Sequence, residues 1–361
     1  MTGPPALQRA KVAVIGGGKI SEQHLQALRG IDGVQIAAVC DLSPALAEFT
    51  AERFEVPKWY TDYRTMLDAE QVDVVHVLTP PATHQRLVTD CLERDCHVIV
   101  EKPVALSNAD FLALWALSQA RNRYLVENHN YRFNAPVRRL ESLVAEGTLG
   151  EIDEIEIRMA LDIRSGGRYA DRNLPHPSHQ LPAGVIHEFI SHLAYLFLHF
   201  VPEYQRDSLE SVRAAWRNEG GGELFKYDSL DAVVMTQAVH GRLRFSSRQW
   251  PDALAVTVRG SQGVASVELF HPILQLARKR GGSPHLTPLV NALGQAKTSF
   301  RSGFGSIWSK IRNRTAYEGL DLFLRQTYEA MAAGSKPPVG FEDMERCSRL
   351  IDALLARENR L

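Results

Sequence analysis

Over the first 128 residues, short apolar runs alternate with amphipathic stretches. Val12–Ile15 is uninterrupted apolar sequence ending in glycines, which suits a strand buried on both faces. A helical stretch runs from Ile20 to Arg29. A second apolar run, Val34–Val39, ends at Asp41, and Ser43-Pro44 then reads as an N-cap with proline at the first helical position. Further strands fit Val72–Leu78, His97–Val100 and Tyr124–Glu127, with helices at Thr83–Arg94 and Asn108–Ala120. Strand–helix alternation at this spacing predicts an α/β domain with a doubly wound parallel sheet.

The pattern changes after residue 150. Glu151–Ile163 alternates apolar and acidic positions, as a half-buried strand does. Leu230–Val239 and Leu243–Arg248 flank His240-Gly241, and Leu254–Arg259 and Val264–Leu269 flank Gly260–Gly263. Two successive hairpins predict an α+β domain with a large open antiparallel sheet, followed by helices at Gly319–Ala333 and Glu342–Arg357. The expected division is 1–128 and 129–361, with the last helix able to pack back on the first domain.

Composition excludes more than it assigns. Hydrophobic residues make up 45% of the 361, enough for large cores and too much for a disordered chain. Basic and acidic residues number 41 and 42, a balance that argues against a nucleic-acid binder. Cys40, Cys91, Cys96 and Cys347 lack the paired spacing of a disulfide framework or a zinc site, so free thiols in a reducing cytosol are expected. No apolar run approaches the length of about 18 residues needed to span a membrane, and the start has no signal-peptide core. A cytoplasmic protein follows as the expectation.

Gly16-Gly17-Gly18-Lys19-Ile20-Ser21 lies between a predicted strand and helix. Gly16 and Gly18 hold the first two positions of the G-x-G-x-x-G pattern, and Ser21 the third. The first glycine permits a tight turn; the second lets backbone approach a pyrophosphate at the helix N-terminus, beside Lys19 and Ile20. Asp41 closes the second strand, where a carboxylate accepts ribose hydroxyls and repels a 2′-phosphate. A Rossmann domain binding NAD, in preference to NADP, is the expectation.

Thr79-Pro80-Pro81-Ala82-Thr83-His84, Glu101-Lys102-Pro103, Asn130-Tyr131-Arg132-Phe133-Asn134 and Ala183–His192 complete a series of ordered landmarks. Together they resemble the Gfo/Idh/MocA family of NAD(P)-dependent oxidoreductases over nearly the whole chain. The resemblance implies that Lys102 lies beside nicotinamide and substrate. It implies that Thr79, Pro80, His84, Glu101 and Arg132 lie near the cofactor, and that the protein is a homodimer or homotetramer. Bottom-up chemistry agrees for Lys102: an ammonium at the C-terminal end of a parallel strand sits in the ligand crevice and can stabilise charge on a substrate oxygen.

Family members usually show Asp-x-Gly-x-His where this chain has Glu188 and His192. Residues four apart share a helix face, so Glu188 is expected to orient His192, the candidate general base. His187 and His192 are five apart, about 140° around a helix, which excludes the HExxH zinc pattern; no metal is expected. Residues 164–182 form a polar Gly/Pro-rich loop in which Arg168, Tyr169, Asn173, His176 and His179 are candidate substrate contacts.

One stretch escapes the family frame. Leu269–Tyr317 has no Asp or Glu and eight cations, Arg278, Lys279, Arg280, Lys297, Arg301, Lys310, Arg312 and Arg314. Three roles stay open for it: a solvated basic helix face, capture of an anionic sugar, or contact of 286–314 with an anionic membrane surface. The leading expectation is an enzyme moving hydride between nicotinamide and a sugar, nucleotide-sugar or cyclic polyol carbinol. A glycosidase working by transient oxidation and elimination, and a non-catalytic dinucleotide sensor, are the alternatives.

Overall fold

The computed structural model describes residues 4, 6–173, 175–279 and 317–356. These cluster into two compact units, the first running to Asn130 and taking Gly319–Arg349, the second running from Tyr131 to Glu318 and taking the residues from Leu350.

The first unit is built on β1 (Ala10–Ile15), β2 (Val34–Cys40), β3 (Lys58–Tyr60), β4 (Val74–Val77), β5 (His97–Val100) and β6 (Leu125–Glu127). Their order is β3-β2-β1-β4-β5-β6 and every pair is parallel, the Rossmann arrangement. The order reverses between β1 and β4, so their C-terminal ends open a crevice. β4 and β5 are buried along their whole length, which explains their valine- and isoleucine-rich sequences, with His76 and His97 buried among them. Helices α1 (Lys19–Leu28), α2 (Pro44–Arg53), α3 (Tyr63–Glu70), α4 (His84–Glu93) and α5 (Asn108–Ala120) follow successive strands. Ser43 caps α2 by accepting from Leu46 N at 3.4 Å, with Pro44 opening the helix.

Two later elements join this unit. In α8 (Glu318–Ala333), Met331 O accepts Leu7 N at 2.9 Å and the Arg325 guanidinium donates to Gly30 O at 3.0 Å. The start of α9 (Phe341–Leu355) packs Phe341 on the rings of Phe111 and Trp115, 5.8 and 5.1 Å between centroids.

The second unit holds α6 (Ala135–Ala145), α7 (His187–Phe200) and seven strands: β7 (Ile152–Ala160), β8 (Ser211–Arg217), β9 (Ser229–Met235), β10 (His240–Ser246), β11 (Ala253–Gly260), β12 (Gly263–Glu268) and β13 (Ile273–Arg278). Their order is β13-β12-β11-β7-β10-β9-β8. The sheet is mixed rather than purely antiparallel, because β7 and β10 pair parallel. A hairpin forces antiparallel pairing, but between β7 and β10 the chain passes through α7, β8 and β9, a connection long enough to return it in the same direction. α7 packs against this sheet with Phe189 stacked on Phe245, 5.5 Å between centroids.

The first predicted hairpin shifts. His240 and Gly241 lie inside β10, opposite Met235 and Val234, and the turn is made by Thr236–Val239. Gly241 serves packing instead: a Cβ there would stand 2.4 Å from the Phe197 ring of α7. The second hairpin turns at Ser261-Gln262, between Gly260 and Gly263. All four cysteines are free and buried. Among the described residues no helix is long and apolar enough to cross a membrane. Of the basic stretch, Arg278 ends β13 and Lys279 follows it; Arg280 through Arg314, including the candidate membrane-contact segment 286–314, lie outside the described residues.

Candidate active site

In the first unit, three loops leave the C-terminal ends of β1, β4 and β5. Gly16 has φ +105°, and a Cβ on it would stand 2.8 Å from Leu78 O, so only glycine fits. Gly17 N donates to Asp41 Oδ2 at 2.8 Å, and Asp41 Oδ1 accepts Ser43 N at 2.9 Å. The acid at the end of β2 thus ties the glycine loop to the cap of α2. Gly18 caps α1 in extended conformation, and a Cβ built on it meets nothing within 4 Å. Lys19 and Ile20 open the helix behind it, and buried Ser21 closes the motif by donating to Gly18 O at 2.6 Å. An open backbone at a helix N-terminus is where an anion finds unpaired N–H groups and the positive end of the dipole.

After β4, Thr79 is half-buried and Pro80 exposed, and the hydroxyls of Thr79 and Thr83 lie 2.7 Å apart. His84 is fully buried, with Nε2 on Thr79 O and Nδ1 on Pro103 O, each at 2.7 Å. Its ring therefore clamps the β4 loop to the β5 loop, and neither nitrogen is left for a ligand. Burial pushes this imidazole below its ordinary value, opposed by the two carbonyl acceptors.

After β5, Lys102 is half-buried between two anchored neighbours. Glu101 N donates to Val77 O at 2.9 Å. Its carboxylate turns inward, where Oε1 accepts Asn128 Nδ2 at 2.6 Å and lies 3.2 Å from His24 Nε2. Burial works to raise this carboxyl, but His24, Lys102 and Asn128 outweigh it and hold it at about 2. Thr79, Pro80, Lys102 and the glycine loop present groups at the strand ends, whereas Glu101 and His84 hold the loops that carry them.

The second unit carries the other predicted residues. Arg132 is half-buried, and its charge bears on Glu141 and His199, whose carboxylate and Nε2 lie 3.6 Å apart. His192 lies on α7, buried, with Nδ1 2.7 Å from Tyr195 Oη and its ring 4.6 Å from that of Tyr131. Tyr195 Oη also accepts Tyr131 N at 3.4 Å. In the tautomer that donates Nδ1–H to Tyr195, Nε2 of His192 carries the lone pair a general base needs.

Glu188 is held by the 164–182 loop. Glu188 accepts from Tyr169 Oη and Ser178 Oγ, takes Arg168 Nη2 at 3.2 Å and lies 3.6 Å from His176 Nδ1. Sitting in the first turn of α7, it profits from the helix dipole and gathers the 164–182 loop around it. A loop of hydroxyl, guanidinium and imidazole donors meets this carboxylate. Burial and the Glu188 charge push the Tyr169 phenol far above its ordinary value, so it stays a hydrogen donor. Arg168 lies over the Tyr169 ring at 4.6 Å yet remains exposed, while His179 Nε2 turns to Tyr169 O at 2.9 Å. Arg168, Tyr169, His176 and Glu188 are therefore one cluster, and His179 braces it.

Sequence reasoning missed Tyr195, Ser178, His24 and Asn128. Tyr195 had a signal, three residues after His192 on one helix face. Ser178 and Asn128 had none.

Residues 10–129 match the model of an oxidoreductase family with an NAD-binding Rossmann fold, GFO_IDH_MocA. The chain is 32% identical over 169 residues to D-apiose dehydrogenase of Paraburkholderia graminis, covering 46% of this chain and 45% of that protein. It is 30% identical over 141 residues to myo-inositol 2-dehydrogenase of Thermotoga maritima, covering 39% and 42%. The matched sequence thus spans less than half the length of these curated relatives. The fold extends further: the WlbA dehydrogenase of Bordetella pertussis, in complex with NADH and UDP-GlcNAcA, superposes with TM-score 0.78 at 15% identity over 97% of this chain and 96% of that one. Levoglucosan dehydrogenase, in complex with NADH and L-sorbose, gives 0.78 at 18% identity over 97% of each.

Proposed function

From the match of residues 10–129 to the Gfo/Idh/MocA oxidoreductase family, we propose that the chain belongs to that family and is an NAD-dependent dehydrogenase or reductase acting on a carbinol of a sugar, nucleotide-sugar or cyclic polyol. The observation that carries the proposal is the glycine loop. Gly18 leaves open space at the N-terminus of α1, and the adjoining Gly17 is bonded to Asp41, the acid that suits a ribose with a free 2′-hydroxyl. NAD, when bound, supplies the hydride acceptor. Gly16, Gly18, Lys19 and Ile20 would hold its pyrophosphate, Asp41 its adenosine ribose, and Thr79 and Pro80 would line the crevice.

Lys102 orients the substrate hydroxyl and stabilises negative charge on its oxygen. His192, held through Nδ1 by Tyr195, takes the hydroxyl proton at Nε2 as the carbon gives up hydride. Arg168, exposed and anchored by Glu188, offers hydrogen bonds to sugar hydroxyls or phosphate, with Tyr169, His176 and His179 fixing the loop. Relatives named as dehydrogenases of D-apiose and myo-inositol support a polyhydroxylated substrate. Free thiols support a cytoplasmic site, and the broad second sheet supports a homodimer or homotetramer.

The test is NADH absorbance on a panel of nucleotide-sugars, sugar phosphates and free polyols, with wild type and Lys102→Ala. Turnover of at least one sugar by wild type, reduced about a hundredfold or more in the variant, is expected. Tight NAD binding without turnover of any panel member would overturn the proposal.

A further inference from the structure

Three side chains of the first unit that take no part in the chemistry above form a buried chain ending at the residue before Lys102. Tyr328 Oη lies 2.9 Å from His76 Nε2. His76 Nδ1 lies 2.9 Å from His24 Nδ1, and His24 Nε2 lies 3.2 Å from Glu101 Oε1. Both rings are 0% exposed and Tyr328 only 5%, so no water can substitute for a missing partner. Tyr328 stacks on His76 with 9° between planes, and His76 meets His24 edge-on at 80°.

The proton count of this array is constrained. Two Nδ1 atoms 2.9 Å apart need one hydrogen between them, because two lone pairs repel and two N–H groups collide. Ionised Glu101 only accepts, so His24 carries its hydrogen at Nε2. A neutral His24 then offers a lone pair at Nδ1, His76 donates from Nδ1, and His76 accepts at Nε2. The Tyr328 hydroxyl must supply that last hydrogen. One assignment satisfies every contact with both rings uncharged, and burial drives His76 strongly toward its neutral form.

The consequence falls on the Glu101-Lys102-Pro103 turn. Its first residue is held through the carboxylate by His24 and Asn128, and its last through the carbonyl by His84. We propose that Tyr328 is a positioning residue for Lys102: through His76 and His24 it sets the ring tautomers that keep an N–H on Glu101, and so fixes the turn that carries the ammonium. Without the Tyr328 hydroxyl, Nε2 of His76 has no partner in either form, so the preference for Nδ1–H at His76 is lost. With its proton at Nε2 instead, His76 requires His24 to become charged or to release Glu101. The inference rests on the role assigned to Lys102 under the proposed function.

Tyr328→Phe keeps the stacked ring and removes only the hydrogen donor. Long-range nitrogen NMR of 15N-histidine protein, with His24→Gln and His76→Asn for assignment, reads the tautomers directly. Wild type is expected to show Nδ1–H at His76 and Nε2–H at His24, and Tyr328→Phe to lose that bias. Kinetically, Tyr328→Phe is expected to lower kcat about tenfold with KM and NAD affinity unchanged, and to cost nothing more in a Lys102→Ala background. His24→Gln, whose amide can still reach Glu101, should retain more activity than His24→Leu. Unaltered tautomers, or an equal loss in the Lys102→Ala background, would overturn the positioning role. If wild type turns over no sugar, the functional proposal falls by itself. The pH dependence of Lys102 acylation by acetic anhydride, followed by mass spectrometry, then decides: a profile identical in wild type and Tyr328→Phe refutes the coupling.

Discussion

The carboxylate of Asp41 accepts the backbone N–H of Gly17 at 2.8 Å, so the acid that ends β2 and the loop that ends β1 are one hydrogen-bonded unit. Each carboxylate oxygen has a further lone pair for a ribose hydroxyl. Asp41→Ala removes those acceptors and frees the loop. Loss of charge-assisted hydrogen bonds of about 1.5–3 kcal/mol should raise the Kd for NAD roughly tenfold to a hundredfold, with discrimination against NADP reduced. Titration of protein fluorescence measures both, and unchanged NAD affinity would remove Asp41 from the site.

Gly16 and Gly18 separate folding from binding. At Gly16 an added methyl meets Leu78 O at 2.8 Å on a backbone with φ +105°, so Gly16→Ala should lower the thermal midpoint and NAD affinity together. At Gly18 the methyl meets nothing, so Gly18→Ala should melt like wild type while binding NAD at least tenfold more weakly, its methyl occupying the space of the pyrophosphate. Calorimetric scans of the two variants with and without NAD distinguish them. Equal NAD binding by Gly18→Ala and wild type would contradict the assignment.

The contrast between these halves explains what was legible. Strands β1, β4 and β5 and the C-terminal half of β2 are largely buried on both faces, so their apolar residues, the glycines after β1 and Asp41 after β2 stood out. β3 is a three-residue edge strand with Trp59 41% exposed, and no periodicity marks it. In the second unit, Gly241 looked like a turn because glycine has two uses, and only the Phe197 ring opposite it tells close packing from a bend. The partners that hold Glu188, Tyr169 and Ser178, come from a loop whose path no local pattern encodes. His24 and His76 lie 52 residues apart and meet only once the parallel sheet is built.

His192 and Tyr195 should behave as base and holder. His192→Ala removes the group assigned to take the hydroxyl proton, and kcat should fall about 10²- to 10⁴-fold. Tyr195→Phe removes only the oxygen 2.7 Å from Nδ1, leaving the ring in its T-shaped contact. A smaller loss, about tenfold to a hundredfold in kcat with little change in KM, is expected. Steady-state kinetics of sugar oxidation across pH should also show the acidic limb displaced in Tyr195→Phe, because a protonated His192 cannot act as base. If that variant matched wild type at every pH, the Nδ1 contact would have no part in the chemistry.

Stability should respond to acid through histidines that fold neutral. His97 accepts the backbone N–H of Tyr124 at Nδ1, 2.9 Å away, which requires a lone pair there. Burial, aided by the Arg123 charge, pushes His97 down to about 4, and burial beside His24 lowers His76 as well. Since the folded value lies below the unfolded value of about 6.5, the unfolded chain takes up protons first as pH falls. The contribution of His97 is therefore complete above pH 6.5 and is lost between about 6.5 and 4, at most about 3 kcal/mol. Glu101, held at about 2, keeps its charge through that window and weakens the fold only as pH drops below the ordinary carboxylate range. His97→Asn retains an acceptor near the Nδ1 position but cannot titrate. Its thermal midpoint at pH 7.5 should be modestly below that of wild type, while its further drop on going to pH 4.5 should be smaller. A drop as steep as that of wild type would show that His97 does not set the acid limb.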